Sequence, residues 1–407
     1  MTASSPARTD PAPDGETSPP RRHPLAYRRW PELTPAWWRW SVGVPLGLYL
    51  LTRMVQLTLV ALMADDDGRS LADRLMVWDA GWFVHVAEEG YEPGYSYDDQ
   101  GELTGNGLAF FPFYPLLIRV LAWLPGITPW GAALTVAWVA GAVAAVLLSL
   151  LGTRLYSRRT GYALAVLFGA QPMSVVLSMG YTEALFCALV AGALLALHHQ
   201  AWLVAGGCAM LAGFTRPTGL ALAGALLLTG LWFLWRDRGA YPSWRVAVGV
   251  AAGLLAAPIY LLWVGLRVGD LDAWFRIQEV GWGTGWDFGA STGQFLVDAF
   301  TDGEDWVHVS TAIIVVGAAV LVLVAWSERV WLPLALYGGL AFVMAVGSSG
   351  YYHSRPRMLV PELLLLFPLA IVLGRCRTRT AVLVLTVITL LGCWYGAYMI
   401  TIWPYTI

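Results

Sequence analysis

The stretch Ser41 to Ala64, SVGVPLGLYLLTRMVQLTLVALMA, is long and apolar enough to cross a bilayer, and similar runs recur along the chain. A hydrocarbon core needs about 20 such residues. The run starts too far from Met1 for a signal peptide and has no small-residue cleavage pattern behind it, so it is expected to remain as an anchor. The chain is 57% hydrophobic and only 13% charged, with 22 tryptophans, which describes an all-α polytopic membrane protein. All 25 basic residues are arginines scattered between apolar runs, and the net charge is -2, so no nucleic-acid partner is implied. Cys187, Cys208 and Cys393 fall inside apolar runs and Cys376 in a basic loop, without metal-ligand spacing. All four read as small packing residues.

Residues 1–38 are rich in Pro, Ser, Thr, Asp and Arg and read as a disordered cytoplasmic tail, leaving 39–407 as a single transmembrane domain. With Arg21, Arg22, Arg28, Arg29 and Arg39 inside, the first run exits near Asp65, and the segment of about 65–131 lies outside. Its run Ala109 to Leu124 carries Pro112 and Pro115, and letting it span would place Arg154, Arg158 and Arg159 outside. It is therefore expected to be interfacial or re-entrant. The spans that follow are Ala132–Leu151, Tyr162–Ser178, Glu183–Leu197, Leu203–Phe214, Pro217–Leu234 and Val246–Leu266. After a second external loop of about 267–305 come Val307–Ala325, Trp331–Val346, Leu359–Leu373 and Ala381–Met399. The expected total is about eleven spans in a multi-pass protein of the cell membrane, N-terminus cytoplasmic. No internal repeat suggests the inverted halves of a transporter.

This topology gathers Asp79, Glu88, Glu89, Tyr181, Glu183, Arg216, His353, Arg355 and Arg357 at the outer boundary, although they are far apart in sequence. Polar residues at the ends of apolar helices can line one cavity. Trp78-Asp79-Ala80-Gly81-Trp82 puts an acidic side chain between two tryptophans where membrane meets water. A carboxylate there can serve as a base toward a substrate whose other half is lipid.

That motif is followed by Val86-Ala87-Glu88-Glu89-Gly90-Tyr91, Phe110-Phe111-Pro112-Phe113-Tyr114-Pro115-Leu116, Tyr181-Thr182-Glu183 and Thr215-Arg216-Pro217-Thr218-Gly219. In this order the segments resemble the bacterial relatives of the PIG-V mannosyltransferases over roughly the first half of the chain. The C-terminal half matches loosely, through Arg355-Pro356-Arg357, and Ala80 stands where the family more often has glycine. The resemblance implies a C-type (GT-C) glycosyltransferase fold, a polyprenyl-phosphate sugar donor carrying mannose, and catalysis on the extracytoplasmic side. The acceptor would be a hydroxyl of a glycan, glycolipid or protein.

Such a donor keeps its lipid in the bilayer and its anionic head at the interface, so the site needs a cation for the phosphate and a carboxylate for the acceptor. Asp79 is the expected base; the bland alternative is an N-cap for a helix starting near Gly81. Arg216, Arg357 and Arg355 are the candidate phosphate ligands, against an Arg216–Glu183 ion pair and snorkelling for the other two. Trp78, Trp82, Glu88, Tyr181, Glu183 and His353 are candidate supporting residues, with Glu88 or Glu89 equally readable as a solvated charge. His353 stands alone and Asp65-Asp66-Asp67 lacks a calcium-loop pattern, so no metal and no cofactor is expected. His198-His199 reads as a helix-end pair, Trp274 as an interfacial anchor, and Trp282 and Trp286 suit either anchoring or sugar stacking. A transporter or lipid flippase, or a non-catalytic membrane subunit, are the competing classes.

Overall fold

The computed structural model describes residues 34–65, 68–236, 243–303 and 305–405. The expected tail of 1–38 lies largely outside the described residues. Its last five, 34–38, begin the first helical run: Thr34 Oγ1 accepts the Trp37 N–H at 3.1 Å, and the chain continues helically into α1 (Val44–Met63).

Six helical runs are long and apolar enough to cross a membrane: Pro35–Met63, α4 (Pro129–Leu155), α8 (Gly219–Arg236), α9 (Ser243–Val268), α12 (Trp306–Ser327) and α15 (Thr378–Thr401). The chain is therefore a multi-pass membrane protein. Four other expected spans fall on shorter helices, α5 (Arg158–Ala170), α6 (Glu183–His198), α7 (Trp202–Gly213) and α13 (Leu332–Gly347). Even the 16 residues of α6 rise only about 24 Å, short of a core about 30 Å thick. The fifth, Leu359–Leu373, is a bent pair, Tyr352–Met358 and Leu363–Arg375 at 74°, which makes at most a seventh span; α14 (Leu366–Arg375) is its inner part.

Proline explains two of these departures. Gln171 is extended (ψ 156°) ahead of Pro172, as a residue preceding proline prefers, so the expected Tyr162–Ser178 run ends as a helix at Ala170. Met173 then turns left-handed (φ 61°), and Ser174–Leu177 forms a 3-10 turn. Pro361 lies at the bend of the other pair.

Small residues bring the helices together. Ala132, Ala133, Ala137, Ala140, Gly141, Ala144 and Ala145 form a buried stripe on α4, which packs against α5 and α6. Between α1 and α4 lie α2 (Asp79–Glu88), a two-stranded antiparallel hairpin of β1 (Ser96–Tyr97) and β2 (Leu103–Thr104), and α3 (Phe113–Ala122). Ten residues give α3 about 15 Å, too short to span, which agrees with an interfacial or re-entrant element. The second long loop holds α10 (Ala273–Trp282) and α11 (Ala290–Thr301).

The first loop is stitched to α9 and to the second loop. Tyr260 donates to the carbonyls of Leu108 (3.0 Å) and Phe110 (2.8 Å), and Trp274 and Gln278 reach the Ala109 carbonyl. At Gly105 and Gly281 the backbones approach so closely that a Cβ on either would lie 2.8 Å from the other's Cα. The loop after α10 is tied to the end of α13 by the Trp286–Ser348 bridge and the Asp287 N–H to the Gly347 carbonyl.

Candidate active site

Trp78 places Asp79. Its backbone is at φ 54°, ψ -117°, outside the regions a tryptophan normally occupies, and the chain turns there directly into α2. The helix begins at Asp79 itself and not near Gly81, with Trp78 as the residue before it, so Asp79 is not the N-cap. Ala80 is helical and fully buried, and no unusual backbone freedom is used there. Beneath it passes Gly180, where a Cβ would come 2.4 Å from Met76 Sδ and 3.3 Å from Ala80 Cβ. The Gly180 N–H also donates to the Leu75 carbonyl at 3.0 Å, which fixes the approach to Tyr181 and Glu183 against the turn before Asp79.

Four charged side chains then meet in a chain. Arg357 Nη2 lies 2.7 Å from Asp79 Oδ2, and Arg357 Nε donates to Glu183 Oε1 at 2.7 Å. Arg216 Nη1 lies 2.6 Å from the same Glu183 oxygen and donates to Thr182 Oγ1 at 3.1 Å. The Tyr181 ring carries the Arg357 guanidinium 4.3 Å above its centroid, and the Tyr181 hydroxyl donates to the Val77 carbonyl. Two carboxylates and two guanidiniums balance, as charges held within a membrane protein must.

Exposure separates the roles these groups can take. The Glu183 side chain is 0% exposed, whereas Asp79 keeps 18% and Arg216 15%. Asp79 and Arg216, at the two ends of the chain, thus keep some exposure, and Glu183 between them has none. The Arg216–Glu183 pair, the alternative to phosphate binding, is present, yet Arg216 Nε and Nη2 have no hydrogen-bond partner among the described residues, so the pair does not use up its donors.

Other candidates lie elsewhere. Arg355 is buried and donates to the carbonyls of Ala345 (2.5 Å) and Ser348, bracing the loop that ends α13. His353 sits among Tyr351, Tyr352, Trp403 and Tyr405, outside the charged chain. Glu88 is exposed at the far end of α2, about 14 Å along the helix axis from Asp79. It borders a shallow hollow of about 430 Å³ with Arg119 and Trp123. Trp82 is part of an aromatic group with Phe110 and Trp282, at 6.0 Å from each. Among the described residues, no group of three or more His, Cys, Asp or Glu is placed to hold a metal ion.

Two features were missed from sequence. Arg53, only 1% exposed in α1, donates to the carbonyls of Ser174 and Gly169 and to the Ser174 and Ser178 hydroxyls, and so holds the turn leading to Tyr181 and Glu183. His85 and Glu92 are bonded at 3.2 Å beside Trp82. Helical spacing of His85 from Trp82 was the one signal available for it.

Part of the chain resembles known proteins. The model of the mannosyltransferase (PIG-V) family matches residues 49–238, which carry Asp79, Glu183 and Arg216. The chain is similar to the GPI alpha-1,6-mannosyltransferase 2 of Rattus norvegicus, 32% identical over 168 residues, 39% of this chain and 32% of that protein. The Mus musculus protein of the same name is also 32% identical, over 40% of this chain and 33% of its own length. The matches thus span about a third of these relatives. Among solved structures, ArnT from Cupriavidus metallidurans bound to undecaprenyl phosphate superposes with a TM-score of 0.50 and 17% identity, over 85% of this chain and 63% of that one. The fold is GT-C-like. Arg357 lies beyond the family match, so the Asp79–Arg357 pair joins the matched half to the rest of the chain.

Proposed function

We propose that this protein is a membrane glycosyltransferase that moves mannose from a polyprenyl-phosphate donor to a hydroxyl acceptor on the extracytoplasmic side, with Asp79 as base. The observation that carries this is the charged chain itself: a carboxylate at one end, Asp79, and a guanidinium with unused donors at the other, Arg216. In an inverting displacement the base and the leaving group stand on opposite faces of the sugar, and separation along the chain suits that demand. ArnT, which shares the fold, was solved with undecaprenyl phosphate, a lipid phosphate of the class proposed here.

The acceptor oxygen forms a bond to the anomeric carbon as the bond from that carbon to the phosphate oxygen breaks. Asp79 takes the acceptor proton and becomes neutral, while the departing polyprenyl phosphate carries away the bonding pair and gains a negative charge. Charge in the pocket is conserved across the step. Arg216 offers Nε and Nη2 to the phosphate, and Arg357 orients Asp79 through Nη2. Guanidinium groups supply the positive charge, so we assign the reaction no metal or cofactor; chelator treatment is expected to leave turnover unchanged.

Incubation of purified protein with radiolabelled polyprenyl-phosphate mannose and a membrane extract tests the reading. Sugar incorporation that disappears in Asp79→Asn supports it. Movement or binding of lipid without transfer would instead favour a flippase or a non-catalytic subunit, and full activity of Asp79→Asn would remove the mechanism.

A further inference from the structure

We infer that the outer face of α2 beyond Asp79 is an acceptor subsite, built for a polyhydroxyl compound of glycan type, in which Trp82 and Trp282 form an apolar wall and His85, Glu89 and Glu92 supply hydrogen bonds. The inference rests on the transferase reading for the word acceptor, but the binding it describes is measurable without turnover.

Position comes first. Trp82 follows Asp79 by three residues and His85 follows Trp82 by three, so successive members are neighbours on the helix surface. Trp82 and Trp282 meet edge-on at 6.0 Å, and Phe110 backs both. Both tryptophans remain partly exposed. Their shared edge is held by the close Gly105–Gly281 contact, which makes the wall a fixed surface. The loop after Trp282 runs on to the bridge at Ser348, just ahead of Arg355–Met358, so the wall and the Arg357 segment belong to one stitched surface.

Polar groups stand next to the wall. His85 packs edge-on against Trp82 at 6.1 Å, and its Nε2 is bonded to Glu92 Oε1 at 3.2 Å, which fixes the ring. On the other side, His85 Nδ1 and Glu89 Oε2 stand 4.0 Å apart, too far for a direct hydrogen bond. Two neighbouring hydroxyls of one sugar can serve the pair, one donating to His85 Nδ1 and the other to Glu89 Oε2, since each hydroxyl has one proton to give. Aromatic faces beside paired hydrogen-bonding groups suit a molecule with an apolar C–H face and a hydroxyl rim. A bare lipid chain offers no hydrogen-bonding group to His85 Nδ1 or to Glu89.

Saturation-transfer NMR with mannotriose as the probe, on the full-length protein in detergent, tests this. Binding is expected in wild type, and about tenfold weaker in His85→Asn and in Glu89→Gln. Glu89 has its side chain 75% exposed, so its substitution leaves packing intact. Trp282→Ala should weaken binding further, with Trp282→Phe restoring much of it. No signal from wild type, or unchanged binding in both His85→Asn and Glu89→Gln, overturns the subsite. Mannotriose binding together with absent transfer in the radiolabel assay would reject the transferase reading and leave the subsite standing.

Discussion

Asp79 and Arg357, from opposite halves of the chain, are joined at 2.7 Å, and the same guanidinium holds the fully buried Glu183. A carboxylate that is also an ion-pair partner keeps its orientation, which the proposed role as base requires. The pairing makes the two residues unequal under mutation. Asp79→Asn keeps the shape of the side chain and leaves Arg357 bonded to Glu183, so the thermal midpoint should move little while turnover falls about a thousandfold. Thermal scanning and the transfer assay on the same preparation check both halves of the statement.

Arg357→Met removes the guanidinium that Asp79 and Glu183 share. Removing one partner from a buried charged network costs about 3–5 kcal/mol, because the remaining charge is uncompensated. The variant should therefore lose folded protein, and the double variant Arg357→Met with Glu183→Gln should recover part of it. Chemical denaturation in detergent measures the recovery. No recovery would mean that Glu183 is not what Arg357 neutralises.

Arg216→Ala separates phosphate binding from packing. Its Nη1 serves Glu183 and Thr182, while Nε and Nη2 are the groups proposed to meet the donor phosphate. Losing charge-assisted hydrogen bonds to a phosphate costs about 2 kcal/mol, so the donor KM should rise roughly thirtyfold. Arg216→Lys keeps the charge but not the fork of donors and should fall between. Unchanged donor KM with lost expression would reduce Arg216 to a packing residue.

The sequence carried the ends of this network better than its middle. Asp79 was legible because an acid between tryptophans at a membrane boundary has few bland explanations, and Arg216 because a charge between two apolar runs must meet something. Arg357 was legible as a residue but not as the partner of Asp79, since nothing local in Arg355-Pro356-Arg357 says which distant helix end it faces. The long apolar runs gave the six long helices directly. The breaks at Pro172 and Pro361 were visible as prolines, but the 74° bend is set by the helices packed around it. Arg53 and the His85–Glu92 pair escaped because their partners are fixed by tertiary contact and leave no periodic mark.

The two long loops should respond to pH at both ends of the scale. The Tyr95 hydroxyl donates to Asp270 Oδ2 at 2.7 Å, and this bond, followed by the Asp272 N–H, holds the Asp270 carboxyl below its usual range. Burial, followed by the bond to Asp270, pushes Tyr95 up to about 12. A lowered carboxyl gives stability that is present above the unfolded value, about 3.9, and lost as pH falls through the folded one. A raised phenol gives stability that is present below about 10 and lost as pH rises toward the folded value. Hydrogen exchange of the hairpin and of the start of α10 should show protection between these limits and loss outside them. Asp270→Asn should abolish the acid limb.

Arg53 is the clearest test of whether the site depends on a support far from it. Its guanidinium is sealed in the helix packing over the Tyr49 ring, and its hydrogen bonds go to residues 169–178 on the neighbouring segment. That segment has no regular helix of its own to satisfy its carbonyls, because Pro172 ended one and the left-handed Met173 started a short 3-10 turn. Arg53→Met leaves the Ser174 carbonyl without its buried donor, a loss on the order of 3 kcal/mol. The turn feeds Tyr181 and Glu183, so loosening it frees Arg357 and Arg216 to move. The expected result is a lower thermal midpoint together with a raised donor KM, both partly rescued by Arg53→Lys, which restores the charge and some of the donors. A fall in stability with an unchanged donor KM would show that the turn holds the fold together without setting the position of Glu183.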